Sequence, residues 1–133
     1  MVVTMAETNT DLTSGKTGKY VVIKGYFNIS SEIYAFKIYF LDDHDINDIN
    51  YYMSMSQSYL SVYFEGLSPV VTSITSIIRT DNVQYRVAER VAIIEFEQVG
   101  PKRPRSHGYG HGRRHLTKRY VDLDTRTFGY VAT

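Results

Sequence analysis

Alternating apolar and polar residues predict an antiparallel hairpin near the start of the chain. The odd positions of 20–29 and the even positions of 33–41 are apolar, apart from Gly25, which is the two-residue period of half-buried strands. If the chain reverses at Ser30, residues whose numbers sum to 61 lie opposite each other, and both apolar sets share one face. That register sets Gly25 against Phe36, whose ring covers the missing side chain.

The residues at the centre of this hairpin do not favour a tight turn. A two-residue turn of type I′ needs positive φ values, which serine disfavours. Because the pair at the centre is Ser30-Ser31, we expect a loop longer than two residues.

The middle of the chain predicts a third strand followed by a helix. Residues 42–50 are acidic and predict a loop, and residues 53–64 alternate like a strand. Ser68 is a favourable N-cap and Pro69 suits the first helical position. Apolar residues then recur at helical spacing, which predicts an amphipathic helix near 69–79, although its many β-branched residues lower its helix propensity.

The last third of the chain predicts more strands. Residues 91–96 are the clearest strand, and the preceding residues 83–90 fit either a strand or a short helix. A closing hairpin is expected at 120–131, with its turn at 124–126. The fold class is therefore α+β, with a mostly antiparallel β-sheet of about five to six strands and one helix. Whether the sheet closes into a barrel stays open.

Length and composition limit the classes of protein. A chain of 133 residues predicts one domain, here 19–133, preceded by a flexible polar arm at 1–18. The absence of cysteine excludes a disulfide framework and a thiolate metal site. No apolar run approaches the roughly 20 residues of a membrane helix, and no signal peptide is recognisable. We expect an intracellular protein, cytoplasmic or within a viral particle, with no membrane partner.

Charge is strongly segregated along the chain. Residues 100–119 carry seven of the 15 cations, three of the four histidines and no acid, whereas the rest of the chain sums to −6. The formal net charge of +1 therefore conceals a charge dipole, and the basic segment predicts a polyanionic partner.

The basic loop at 101–115 combines cations with glycine, proline, histidine and one tyrosine. Lysine and arginine neutralise phosphates, glycine permits close approach of the backbone, and tyrosine offers a ring for stacking. These features predict a small non-enzymatic protein that binds nucleic acid, RNA or single-stranded DNA. The candidate binding residues are Lys102, Arg103, Arg105, His107, Tyr109, His111, Arg113, Arg114, His115, Lys118 and Arg119.

Two other functions compete with this one. The chain could be a self-assembling structural subunit, coat-like or scaffold-like, in which case a homo-oligomer is expected. It could also be a metal-independent ribonuclease in which His107, His111 or His115 act as base and acid. A glycine-rich loop holds catalytic groups poorly, so no catalytic residue is assigned. The same glycines disfavour a helix that would align the histidines, so no metal or other cofactor is expected.

A second candidate surface lies on the polar side of the first hairpin. Lys24 and Lys37 face each other there, and like charges directly opposed are destabilising. We expect a neighbouring strand, bearing Glu95 and Glu97, that pairs with the lysines. The alternative is that, with the neighbouring tyrosines, they form a basic-aromatic platform for single strands. The possible platform comprises Tyr20, Lys24, Tyr26, Lys37 and Tyr39.

Overall fold

A computed structural model describes residues 19–80, 87–101 and 115–131. The predicted arm at 1–18 and most of the basic loop lie outside these residues. The predicted class is confirmed, because in these described residues six antiparallel strands form one sheet and a single helix accompanies them. The elements are β1 Tyr20–Ile29, β2 Glu32–Leu41, α1 Ile49–Tyr63, β3 Val70–Thr80, β4 Val91–Gly100, β5 Thr117–Asp122 and β6 Thr127–Tyr130.

The strands form an open sheet in the order β3-β1-β2-β4-β5-β6, so β3 and β6 are its two edges. Helix α1 packs on one face and spans the sheet. Near β3, the Gln57 side-chain amide donates to the Pro69 carbonyl at 2.8 Å and accepts from the Val71 N–H at 2.9 Å. Near β6, the Tyr63 and Phe128 rings are 4.7 Å apart. In the described part of the chain no helix has the length and apolarity to span a membrane.

The first hairpin has the predicted register, and its apolar residues share one face of the sheet as predicted. Val21 pairs with Phe40 and Ile23 with Ile38, and all four are buried beneath α1. The expectation of a longer loop is wrong, because the turn consists of Ser30 and Ser31 alone. Ser30 adopts a φ of 58°, so this residue takes the left-handed conformation that the tight turn requires.

The predicted third strand at 53–64 is wrong, since those residues belong largely to α1. The residues of α1 that are buried recur at helical spacing: Tyr52, Ser56, Tyr59, Leu60 and Val62. The acidic loop is also shorter than predicted, because Asp48 caps the helix by accepting from the Tyr51 N–H at 3.1 Å. The strand-like alternation within 53–64 is therefore incidental to a helix whose buried stripe contains one serine and two tyrosines.

The predicted helix near 69–79 is also wrong, and the residues form the edge strand β3. Its register against β1 shifts twice, between Lys24 and Gly25 and between Tyr26 and Phe27. Each β-bulge adds a residue to β3, so residues that share a face lie three apart instead of two. Accordingly Phe27, Gly25 and Ile23 pair with Val71, Ile74 and Ile77. The spacing that imitates a helix is the product of two bulges.

Gly25 is required by these bulges. A Cβ on Gly25 would overlap the backbone oxygen of Ser73, and it would lie 3.0 Å from the Phe36 ring. The predicted cover by Phe36 is thus confirmed, and the close approach of β3 adds a second reason for glycine.

A smaller core lies on the face opposite α1, at one end of the sheet. Its buried members are Tyr20, Val87, Val91, Ile93 and Tyr120. The sequence predicts a strand or a short helix over 83–90. The described residues of this segment are neither, because Val87 and Ala88 belong to no regular element and 89–90 form a turn. Residues 83–86 lie outside the described residues. The predicted strand at 91–96 and the closing hairpin are confirmed as β4 and the pair β5–β6.

We predict that Gly25→Ala destabilises the protein by about 1–3 kcal/mol, because β3 must move to admit the methyl group. Urea unfolding measures this loss. The matched control is Gly100→Ala, whose new Cβ would meet the Ile33 side chain at an ordinary 3.7 Å. Equal stability of the two variants would contradict the close approach of β3 to β1.

Candidate nucleic-acid interface

The basic loop joins two adjacent strands at one end of the sheet. It leaves β4 at Gly100, opposite Ile33 near the β1–β2 turn, and the chain re-enters the sheet at Thr117, opposite Phe96. Of the candidate binding residues, only His115, Lys118 and Arg119 are described. The others, Lys102, Arg103, Arg105, His107, Tyr109, His111, Arg113 and Arg114, lie outside the described residues.

Lys118 and Arg119 lie on opposite faces of the sheet, as neighbours in a strand must. The Lys118 Nζ is 3.5 Å from Glu95 Oε2 on the face opposite α1. Arg119 lies on the α1 face, where its guanidinium carbon is 4.2 Å from the centre of the Tyr130 ring. The structure therefore brings Lys118, but not Arg119, to the same face as the predicted platform.

A row of four charged residues crosses this open face. Lys24 pairs in register with Lys37, Lys37 with Glu95, and Glu95 with Lys118. Glu95 makes its ion pair with Lys118. In the described part of the chain, neither Lys24 nor Lys37 has a carboxylate oxygen within 4.0 Å. The neighbouring strand expected from the sequence is thus β4, yet its carboxylates leave the two lysines outside ion-pair distance.

The structure separates the five platform residues into two groups. Tyr20 is 5% exposed and belongs to the smaller core. Tyr39 is half-buried and packs against that core, and its ring centre is 5.7 Å from the Lys37 Nζ. Tyr26 is 40% exposed. Lys24 is exposed like Tyr26, and Lys37 is half-buried; these three platform residues border one concave surface.

These three residues line a concave surface that we call the sheet groove, with a volume of about 310 Å³. Such a volume is at the lower end of the range of about 300–1,000 Å³ for small-ligand sites. Thr75 from β3, Glu97 from β4 and Leu116 before β5 extend the wall of the groove. Sequence reasoning left Thr75 and Leu116 out of the site. The sequence pattern alone does not place these two residues beside the lysines. Their position in the groove follows only when the order of the strands in the sheet is known.

A second polar cluster, absent from the predicted sites, stands where the acidic loop meets α1. The His44 ring Nε2–H donates to Asp48 Oδ2 at 2.9 Å, and the ring stacks on Tyr51 with centres 3.7 Å apart. The His44 carbonyl accepts from the Tyr52 hydroxyl at 2.9 Å and from the Arg79 guanidinium. Asp48 also caps the helix. The cluster thus fastens the loop to the start of α1, which accounts for its contacts without a ligand.

The environment of this cluster shifts the pKa values of Asp48, Tyr51 and Tyr52, the last of which is raised chiefly by burial. The hydrogen bond with His44 and the one from the Tyr51 N–H hold the pKa of Asp48 below its usual range. Burial, and then the nearby Asp42 carboxylate, raise the pKa of Tyr51. Within residues 19–80, 87–101 and 115–131, no three histidine, aspartate or glutamate side chains are grouped so that they could hold a metal ion.

Comparisons with known proteins add no analogy to this geometry. No protein-family description matches the chain, and neither characterised proteins nor solved structures give a match. The function is therefore inferred from the residues of the chain and their arrangement.

We predict a pH-dependent contribution of Asp48 to stability. Because its pKa is lowered in the folded state, this contribution is present above about pH 4 and is lost as pH falls through the folded-state pKa. Asp48→Asn should therefore lower the urea midpoint near neutral pH, and the difference from wild type should shrink as the pH falls below about 4. Asp43→Asn, at an exposed residue of the same loop, is the control. A difference that stays constant with pH would argue against the His44–Asp48 pairing.

Proposed function

We propose that this protein binds nucleic acid without catalysis, through the phosphate backbone, and that the basic loop 101–115 with Lys118 is the main contact. The observation that carries the proposal is the charge segregation: seven cations and no acid between residues 100 and 119. Clustered lysine and arginine release counterions from a polyanion when they neutralise its phosphates, which supplies most non-specific affinity.

The position of the loop supports the proposal. It joins the adjacent strands β4 and β5, whose described ends on either side of it lie at the same end of the sheet. Lys24 and Lys37 line the same groove as Leu116, which directly follows the loop in the chain. The rest of the chain, with its net −6, would repel a polyanion and so favour contact through the basic segment.

A self-assembling structural subunit is the second candidate. Edge strand β3 exposes Val70 by 55% and Ile78 by 51%, and an edge strand with exposed apolar residues is a template for pairing with another copy. The two candidates are compatible, since an assembled subunit that packages nucleic acid would satisfy both. They differ in the residues on which each depends.

We predict that the wild-type protein binds labelled single-stranded RNA or DNA with an affinity that falls steeply with salt. Contacts to about four to six phosphates of a single strand give a log–log slope of about −3 to −4 between about 50 and 200 mM salt. Replacing Arg103, Arg105, Arg113 and Arg114 with alanine should abolish binding.

The control removes the same charge elsewhere, with Lys16, Lys19, Arg86 and Arg126 replaced by alanine, and should bind nearly as wild type does. Sedimentation measures the size of each variant. Loss of an oligomer with unchanged binding in the four-arginine variant would refute the proposal and favour the structural subunit. Intact RNA after incubation in chelator would exclude the ribonuclease alternative.

A further inference from the structure

The sheet groove has a chemical character different from that of the basic loop. Lys24 and Lys37 stand at one end, with no carboxylate within 4.0 Å in the described part of the chain. Two ammonium groups on directly opposed residues repel each other. An anion seated between them would remove that repulsion, so this end of the groove suits a phosphate.

The next row of the sheet shapes the middle of the groove. Tyr26 pairs in register with Ala35, and Ala35 with Glu97. Adjacent strands are about 4.8 Å apart, so Tyr26 and Glu97 stand about 10 Å apart across the short alanine side chain. An exposed ring therefore faces a carboxylate across a gap with an apolar floor.

The carboxylates exclude a simple anion site. Glu95 and Glu97 both line the groove, and although Glu95 is paired with Lys118, two acids would oppose an inorganic phosphate. A nucleotide resolves this conflict, because it offers a phosphate to the lysines, a flat face to the tyrosine and N–H donors to a carboxylate. Glutamate accepts hydrogen bonds from base amino groups in known recognition sites.

We propose that the sheet groove holds one unstacked nucleotide of a single strand, with its phosphate on Lys24 and Lys37, its base on Tyr26 and its N–H donors towards Glu97. The inference rests on the proposed function and adds the form of the ligand. A base within a duplex cannot present both its face and its pairing edge to protein. The protein should therefore prefer single strands, and the groove should be the reason.

The test compares single-stranded and duplex oligonucleotides of one sequence. Tyr26→Ala should weaken single-strand binding by about 5- to 150-fold, the value of one base stacked on an aromatic ring, and leave duplex binding unchanged. Tyr26→Phe keeps the ring and should bind as wild type does. Lys24→Gln with Lys37→Gln should make the single-strand salt slope shallower by about 0.7 for one lost phosphate contact. The exposed Lys19→Gln is the charge control.

The outcomes separate this inference from the proposed function. If the four-arginine variant loses binding but Tyr26→Ala binds single strands normally, the groove inference is overturned and the proposed function stands. If groove variants lose single-strand binding while the four-arginine variant retains it, the loop is not the main contact and the groove inference stands. Tyr26→Ala could instead lose affinity equally for duplex and single strand, with Tyr26→Phe also impaired. That result would mean that the substitutions disturb the fold, and it would overturn the groove inference. If wild type binds no nucleic acid, both fail.

Discussion

The structure depends on the packing of one helix against one face of a six-stranded sheet. Fifteen residues of α1 span about 22 Å, close to the width of about 24 Å that five strand spacings give. The contact is dense in aromatic rings: the centre of the Phe40 ring lies 6.2 Å from that of Tyr52 and 5.6 Å from that of Tyr59. The Tyr63 and Phe96 ring centres are 5.4 Å apart. Because the helix closes only that face, the opposite face is left to the smaller core at one end and to charged side chains at the other.

The parts of the fold that can be predicted from the sequence are those in which apolar residues keep one regular spacing along the whole element. In β1 and β2 the alternation is unbroken and the turn is short, so the register follows by counting. In 53–79 the helix and the strand were interchanged for physical reasons. The stripe of α1 includes Ser56, which a hydrophobic pattern overlooks, and the bulges of β3 space Val71 and Ile74 as a helix would. Bulges arise from the contact with β1, and local propensity contains no information about that contact.

The candidate site was accessible to sequence reasoning to the extent that it lies within one hairpin. The opposition of Lys24 and Lys37 follows from the register of β1 and β2. The position of Glu97 opposite Ala35 requires the pairing of β2 with β4, which are separated in the chain by α1 and β3. The burial of Tyr20 depends on Val87, from a segment without a periodic signal. Long-range pairing therefore decides which platform residues remain accessible.

The fold places two lysines, Lys24 and Lys37, directly opposite each other in adjacent strands, a pairing that is unfavourable in a sheet. Strands β1 and β2 are interior strands of the sheet, where a β-branched or aromatic pair in place of Lys24 and Lys37 would relieve repulsion and add packing. Departures of this kind are expected where function is favoured over stability. The pair lies on the open face, which α1 leaves uncovered, and borders the same groove as Leu116, next to the re-entry of the basic loop into the sheet. An anionic ligand bound between the two lysines would offset the repulsion between them. Such a ligand would connect the uncovered face of the sheet with the charge segregation along the chain.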